Sequence, residues 1–179
     1  MRLVCALLLG LGLGLGCPLI ARADCPDVRL ELKLKKSASG LEIDATLKNA
    51  GKSALELMTT GDGSSFGKRN PRLTFTLEPN IISEVGTCGF INALADEDFL
   101  TLLPGQSRKL GWVYPPTPGK PGEYSLQVTY TNDPAVPPVG SGAPRPPTPE
   151  QLGRLAKTVA CKVISEPLRF RWDGKRASK

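Results

Sequence analysis

The chain has 179 residues, with 23 Lys and Arg against 17 Asp and Glu for a net charge of +6, 19 glycines, 17 prolines and no histidine. The lack of histidine excludes Ser-His-Asp and Cys-His catalysis and removes the commonest neutral metal ligand. The length suits one domain with a real core, and the proline and glycine content favours short strands joined by turns over long helices.

Residues 1–23 have the pattern of a cleaved export signal. Arg2 precedes the apolar run "LVCALLLGLGLGLGC", and "PLIARA" places small residues at Ala21 and Ala23 ahead of the cleavage point. The run is rich in glycine and shorter than the ~20 apolar residues of a spanning helix, so no transmembrane anchor is expected. Lipid attachment at Cys17 is the competing reading, but Gly14 stands where the lipobox pattern wants Leu. The mature chain is expected to start at Asp24 and to be exported, either periplasmic or extracellular.

Without Arg2 and Arg22 the balance is 21 basic to 17 acidic side chains, a net +4, and the last twelve residues hold all of it: Arg169, Arg171, Lys175, Arg176 and Lys179 against Asp173. The body from Asp24 to Pro167 is neutral and has no basic stripe with interleaved aromatics, so a nucleic-acid partner is not expected. Residues 173–179 read as a solvated basic tail. The three mature cysteines, Cys25, Cys88 and Cys161, allow one disulfide in an exported chain. Cys88–Cys161 is the expected pair, because each lies on the approach to a predicted strand, whereas Cys25 is next to a free terminus.

The strands follow in chain order. Val28–Lys36 alternates Val28, Leu30, Leu32 and Leu34 with charged residues, the period of a half-buried strand. Leu41–Leu47 repeats the pattern, turns at "NAGK" and resumes at Ala54–Met58, as a hairpin or a pair that switches sheets. After the loop "TTGDGSSFGKRNP", Arg72–Pro79 points Leu73, Phe75 and Leu77 one way. "FLTLLPGQSRKLGWVY" is a strand, a Pro104-Gly105 turn and a second strand. Gly122–Asn132 is the clearest strand, with Tyr124, Leu126, Val128 and Tyr130 on one side, and "VISEPLRFRW" is the last. Between these two, residues 133–160 form an insertion. Its proline-rich "DPAVPPVGSGAPRPPTP" has too few apolar groups for a second core, and a helix from Thr148 to Val159 follows. Thr148 and Gln151 make a capping box, Pro149 takes the first helical position, and Leu152, Leu155, Ala156 and Val159 make the apolar stripe.

"LPGQSRKLGW", "PGEYSLQVTYTN" and "SEPLRFRW" together resemble the second half of secreted bacterial immunoglobulin-like sandwiches, and more distantly bacterial proteinase-inhibitor-like domains. The resemblance spans roughly Leu41–Trp172. It implies an immunoglobulin-like antiparallel β-sandwich over residues 24–172, with turns at Gly105 and Gly122 and Tyr124 as a corner residue tying a loop to the sandwich. It carries over no inhibitory loop.

The segment "TCGFINALADEDFL" tests whether acids make a site. Asp96, Glu97 and Asp98 are consecutive and lack the alternating ligands and central glycine of a calcium loop, so they read as a solvated turn, with Cys88, Phe90, Ile91 and Leu94 as packed connection. "GDGSSFG" lacks phosphate-loop spacing, and Ser53, Ser64, Ser65, Ser107, Glu78 and Glu84 sit in no nucleophile or paired-carboxylate motif. Trp112 and Trp172 end apolar strands and read as core or rim. No catalytic residue, metal ligand or cofactor is assigned. The expected function is a secreted, non-catalytic binding or accessory module, not an enzyme, whose two long loops contact an exported protein or cell-surface component. A proteinase inhibitor acting through one surface loop is the alternative.

Overall fold

In the computed structural model the described residues are 25, 27–37, 40–60, 72–79, 81–84, 94–113, 115–135 and 146–174. The elements are β1 (Val28–Ser37), β2 (Gly40–Asn49), β3 (Leu55–Met58), β4 (Arg72–Glu78), β5 (Ile81–Glu84), β6 (Phe99–Leu102), β7 (Ser107–Val113), β8 (Gly122–Asn132), α1 (Pro149–Leu155), β9 (Cys161–Ile164) and β10 (Leu168–Trp172), with a 3₁₀ turn at Asp96–Asp98 before β6. Over the described residues the chain is a mostly-β, immunoglobulin-like antiparallel sandwich with one short helix. One sheet has the order β1-β2-β7, the other β10-β8-β4-β5 with β9 also on β8, and β3-β6 is a separate ribbon.

Alternation in the sequence becomes inner and outer faces. The β1–β2 register sets Leu30 against Leu47, Leu32 against Ala45 and Leu34 against Ile43, placing the apolar row of both strands on one side. Leu73, Phe75 and Leu77 of β4 oppose Tyr130, Val128 and Leu126 of β8 in the facing sheet. These residues, with Val28, Leu57, Leu100, Leu110 and Val163, share one core. Burying each large side chain contributes ~1.5–3 kcal/mol, the main favourable term of the fold.

The chain switches sheets at Asn49, which is fully buried. Its amide Nδ2 donates to the carbonyls of Ser53 (2.8 Å) and Leu102 (2.9 Å), and Oδ1 accepts from Gly51 N (2.9 Å). Its backbone N–H donates to Gln106 O, and its carbonyl accepts from Gly105 N. One side chain therefore joins the end of β2, the approach to β3 and the β6–β7 turn, and "NAGK" is a sheet-switching corner instead of a hairpin. Gly51 is required there because a Cβ would come within 2.6 Å of Asp27. Gly105, at φ +77°, turns the chain between β6 and β7.

The final segment is two strands instead of the single one expected. Ile164 opposes Thr129 and Leu168 opposes Leu126, so four steps on one side match three on the other, a bulge. Pro167 has no N–H for the ladder; Ser165 closes the gap, its Oγ accepting from Val128 N (3.0 Å) and its N–H donating to Val128 O (2.9 Å). β5, which the sequence reading missed, is a four-residue edge paired with β4.

The helix is shorter than the expected Thr148–Val159. The capping box forms, Thr148 Oγ1 accepting from Gln151 N (3.2 Å) and Gln151 Oε1 from Thr148 N (2.9 Å). The helix ends at Leu155 because Thr158 turns back, donating from both N and Oγ1 to Leu155 O. Only Leu155 of the stripe is fully buried; Leu152 is 43% exposed, and Val159 is extended, its N–H on Glu56 O. Among the described residues no helix is long and apolar enough to cross a membrane.

Candidate functional site

One pole of the sandwich collects the connections. Arg72, which follows segment 61–71, opposes Thr131; Glu84, which precedes 85–93, opposes Thr74; Asn132, which leads into the insertion, opposes Cys161. Met58 is tied to the same pole, because the buried Tyr130 Oη donates to its carbonyl at 2.8 Å. Burial raises the Tyr130 hydroxyl well above its ordinary 10.0, keeping it neutral. The loops "TTGDGSSFGKRNP" and "DPAVPPVGSGAPRPPTP" therefore start from adjacent strand ends, although residues 61–71 and 136–145 lie outside the described residues.

A disulfide crosses this pole, and it corrects the expected pairing. Cys161 is bonded to Cys25, 136 positions away, with their Cα atoms 5.1 Å apart. A cysteine sulfur makes one such bond, so Cys88–Cys161 does not form; Cys88, with Phe90 and Ile91, lies outside the described residues. The expectation failed because it treated Cys25 as part of a frayed end. Cys25 O accepts from Val28 N, Asp27 O accepts from Ala50 N, and Cys25 and Val28 are buried in the core, so the start of β1 is fastened beside β9.

The stem of the insertion is held as firmly. Asn132, 2% exposed, donates from Nδ2 to Val159 O (2.7 Å) and Thr158 Oγ1 (3.2 Å). Its Oδ1 is buried without a partner among the described residues. α1 rests on the outer face of the β3–β6 ribbon. Alternation sends Leu57 and Leu100 into the main core, while Met58 and Phe99 form a second cluster with Leu94 and Leu155. Gln151 Nε2 donates to Leu94 O. Arg154 pairs with Glu56 (2.8 Å) and Asp96 (3.2 Å), and its guanidinium lies 4.4 Å from the centre of the Phe99 ring.

The acid cluster is thus a structural corner, but not a solvated turn throughout. Asp98 is 3% exposed and its Oδ2 accepts from Ala95 N (2.8 Å), while Asp96 belongs to Arg154. Among the described residues no group of three or more potential ligands could hold a metal ion. Glu78 and Glu84 lie towards opposite ends of the β4–β5 pair, Ser53 and Ser107 in the other half of the sandwich, and Ser64 and Ser65 outside the described residues.

The opposite pole carries the expected corner tyrosine, whose Oη donates to Lys120 O at 2.9 Å; the Tyr124 ring stacks on Phe170 at 5.9 Å. Trp172 is buried as a core aromatic, whereas the Trp112 side chain lies outside the described residues. An open depression of about 530 Å³ there is lined by Pro121, Gly122, Glu123, Arg171, Trp172 and Asp173. The residues missed from sequence, Asn49, Asn132 and Arg154, share a type: polar side chains whose partners are distant backbone or charges. Only Asn49 had a local signal, the turn residues "AGK" behind it.

No protein-family model matches the chain, and no curated protein matches it significantly.

Proposed function

We propose that this chain is an exported, non-catalytic binding or accessory module that engages another exported protein or a cell-surface component through the loop-bearing pole. The observation that carries the reading is the bracing of that pole: the Cys25–Cys161 bond, the Tyr130–Met58 hydrogen bond and the Asn132 clamp fix the strand ends from which both long loops leave. A rigid scaffold under variable loops lowers the ordering cost of recognition. Proteinase inhibition is the second reading, favoured by the placement of the disulfide at the stem of the proline-rich insertion, where an inhibitory loop would need support.

Photo-crosslinking residues placed at Thr59 and Ala135, with Thr46 on the outer face of the other sheet as control, test the proposal in the secretion medium of the producing cell. A discrete product from the pole sites alone is expected; equal crosslinking from all three would overturn it. Titration against serine, cysteine and metalloproteases separates the readings, since stoichiometric loss of protease activity would make the module an inhibitor.

A further inference from the structure

β10 is a free edge. It pairs with β8 only, and the strand order leaves its other side without a neighbour among the described residues, whereas the β9 half of that edge is occupied by the start of β1 through Cys25–Cys161. Leu168 and Phe170 stand opposite Leu126 and Tyr124 of β8, and Phe170 packs on the core, but both are only half-buried, so the apolar row at this edge is incompletely covered. Arg169 and Arg171 occupy the outer row, both exposed. Their neighbours on β8 do little for them: Arg169 faces Ser125, and Arg171 reaches Glu123 only at 3.9 Å, with both side chains more than three-quarters exposed.

The same fold shows how it satisfies such a strand. In β1, Lys33 and Lys35 form a basic row two residues apart, and the neighbouring β2 answers with Asp44 and Glu42 in register. Asp44 is bonded to Lys35 at 3.0 Å and to Lys109 of β7 at 3.5 Å. β10 repeats the basic row without the acidic answer. A second copy of β10 paired antiparallel about Phe170 does not supply it, because that register sets Arg169 of each copy opposite Arg171 of the other, and like charges directly opposed destabilise a sheet.

From this we infer that β10 is a docking edge for an extended partner segment of alternating character, with acidic residues two apart on the outer row and apolar residues between them on the inner row. Backbone hydrogen bonds from the open side of β10 carry the association, the acids answer Arg169 and Arg171, and the apolar residues complete the cover of Leu168 and Phe170. This surface lies away from the loop-bearing pole, and the inference stands whether or not that pole binds a partner.

The probe is the capped peptide Val-Glu-Val-Glu-Val-Glu-Val, with Val-Lys-Val-Lys-Val-Lys-Val as its counterpart, titrated into the ¹⁵N-labelled chain from Asp24. The acidic peptide is expected to shift the amides of residues 168–172 and to lose affinity as salt is raised; the basic peptide is expected to do neither. The variant R169E/R171E, altered only at exposed positions, should lose about tenfold affinity for the acidic peptide and gain binding of the basic one. Absence of binding at millimolar peptide, shifts centred on the loop-bearing pole, or an acidic-peptide affinity unchanged in R169E/R171E would overturn the inference and leave the arginines as a guard against edge-to-edge aggregation.

Discussion

Cys25 and Cys161 join the first described residue of the sandwich to the first residue of β9, at the strand ends where the proline-rich insertion begins and ends. The bond closes a loop of nearly the whole domain, so its effect on the unfolded chain is large. Cys25→Ser or Cys161→Ser should cost on the order of 2–5 kcal/mol, measured by urea denaturation without reductant. Peptide mapping of the unreduced protein should recover Cys25 linked to Cys161; a Cys88–Cys161 peptide would show the pairing to be wrong.

The docking of α1 predicts opposite outcomes for two leucines three residues apart. Leu155→Ala removes a buried member of the Met58, Leu94 and Phe99 cluster and should destabilise by about 2–3 kcal/mol, with faster proteolysis between residues 133 and 160. Leu152→Ala, at a position 43% exposed, should change stability by less than about 0.5 kcal/mol. Equal costs would mean that the helix presents a different face to the ribbon.

Tyr130→Phe leaves the buried Met58 carbonyl without its donor and should cost about 1–3 kcal/mol. The native hydroxyl titrates above its ordinary value, so its contribution is complete below the unfolded value of 10.0 and is lost as pH rises beyond it. Phenolate absorbance from Tyr130 should therefore appear only together with alkaline unfolding, and an ionisation preceding unfolding would contradict the burial.

Asp44 makes the reverse prediction at acid pH. The hydrogen bond from Lys35, helped by the Lys109 charge and opposed by partial desolvation, holds its carboxyl below the usual 3.8. The stability it contributes is present above pH 3.8 and lost as pH falls through the lowered native value. Asp44→Asn should flatten the acid limb of the stability curve over that window, and the difference from the parent should shrink in high salt because the carboxylate is solvent-screened.

Strand content was legible because a half-buried strand writes its two faces into alternate letters. Val28–Leu34, Leu41–Leu47, Leu73–Leu77 and Tyr124–Tyr130 all became inward rows. The T-x-x-Q cap and the Pro104-Gly105 turn were equally readable, since each is made by neighbours in the chain. Even the bulge before β10 had left a trace: the apolar parity shifts from Val163 to Leu168, Phe170 and Trp172 across "SEP".

Which strands meet was decided only in three dimensions. Nothing local tells Leu57 from Met58, yet one enters the main core and the other the cluster under α1, because β3 joins β6 in a ribbon buried on both faces. Nothing near Asp98 announces that it will be buried against the backbone of Ala95, or that Arg154 will reach Glu56 across 98 positions. The disulfide is the same case. Proximity to a predicted strand favoured Cys88, but a bond needs two Cα atoms about 5–6 Å apart, and that distance is set by β1 lying against β9, a contact between the two ends of the domain that no window of sequence contains.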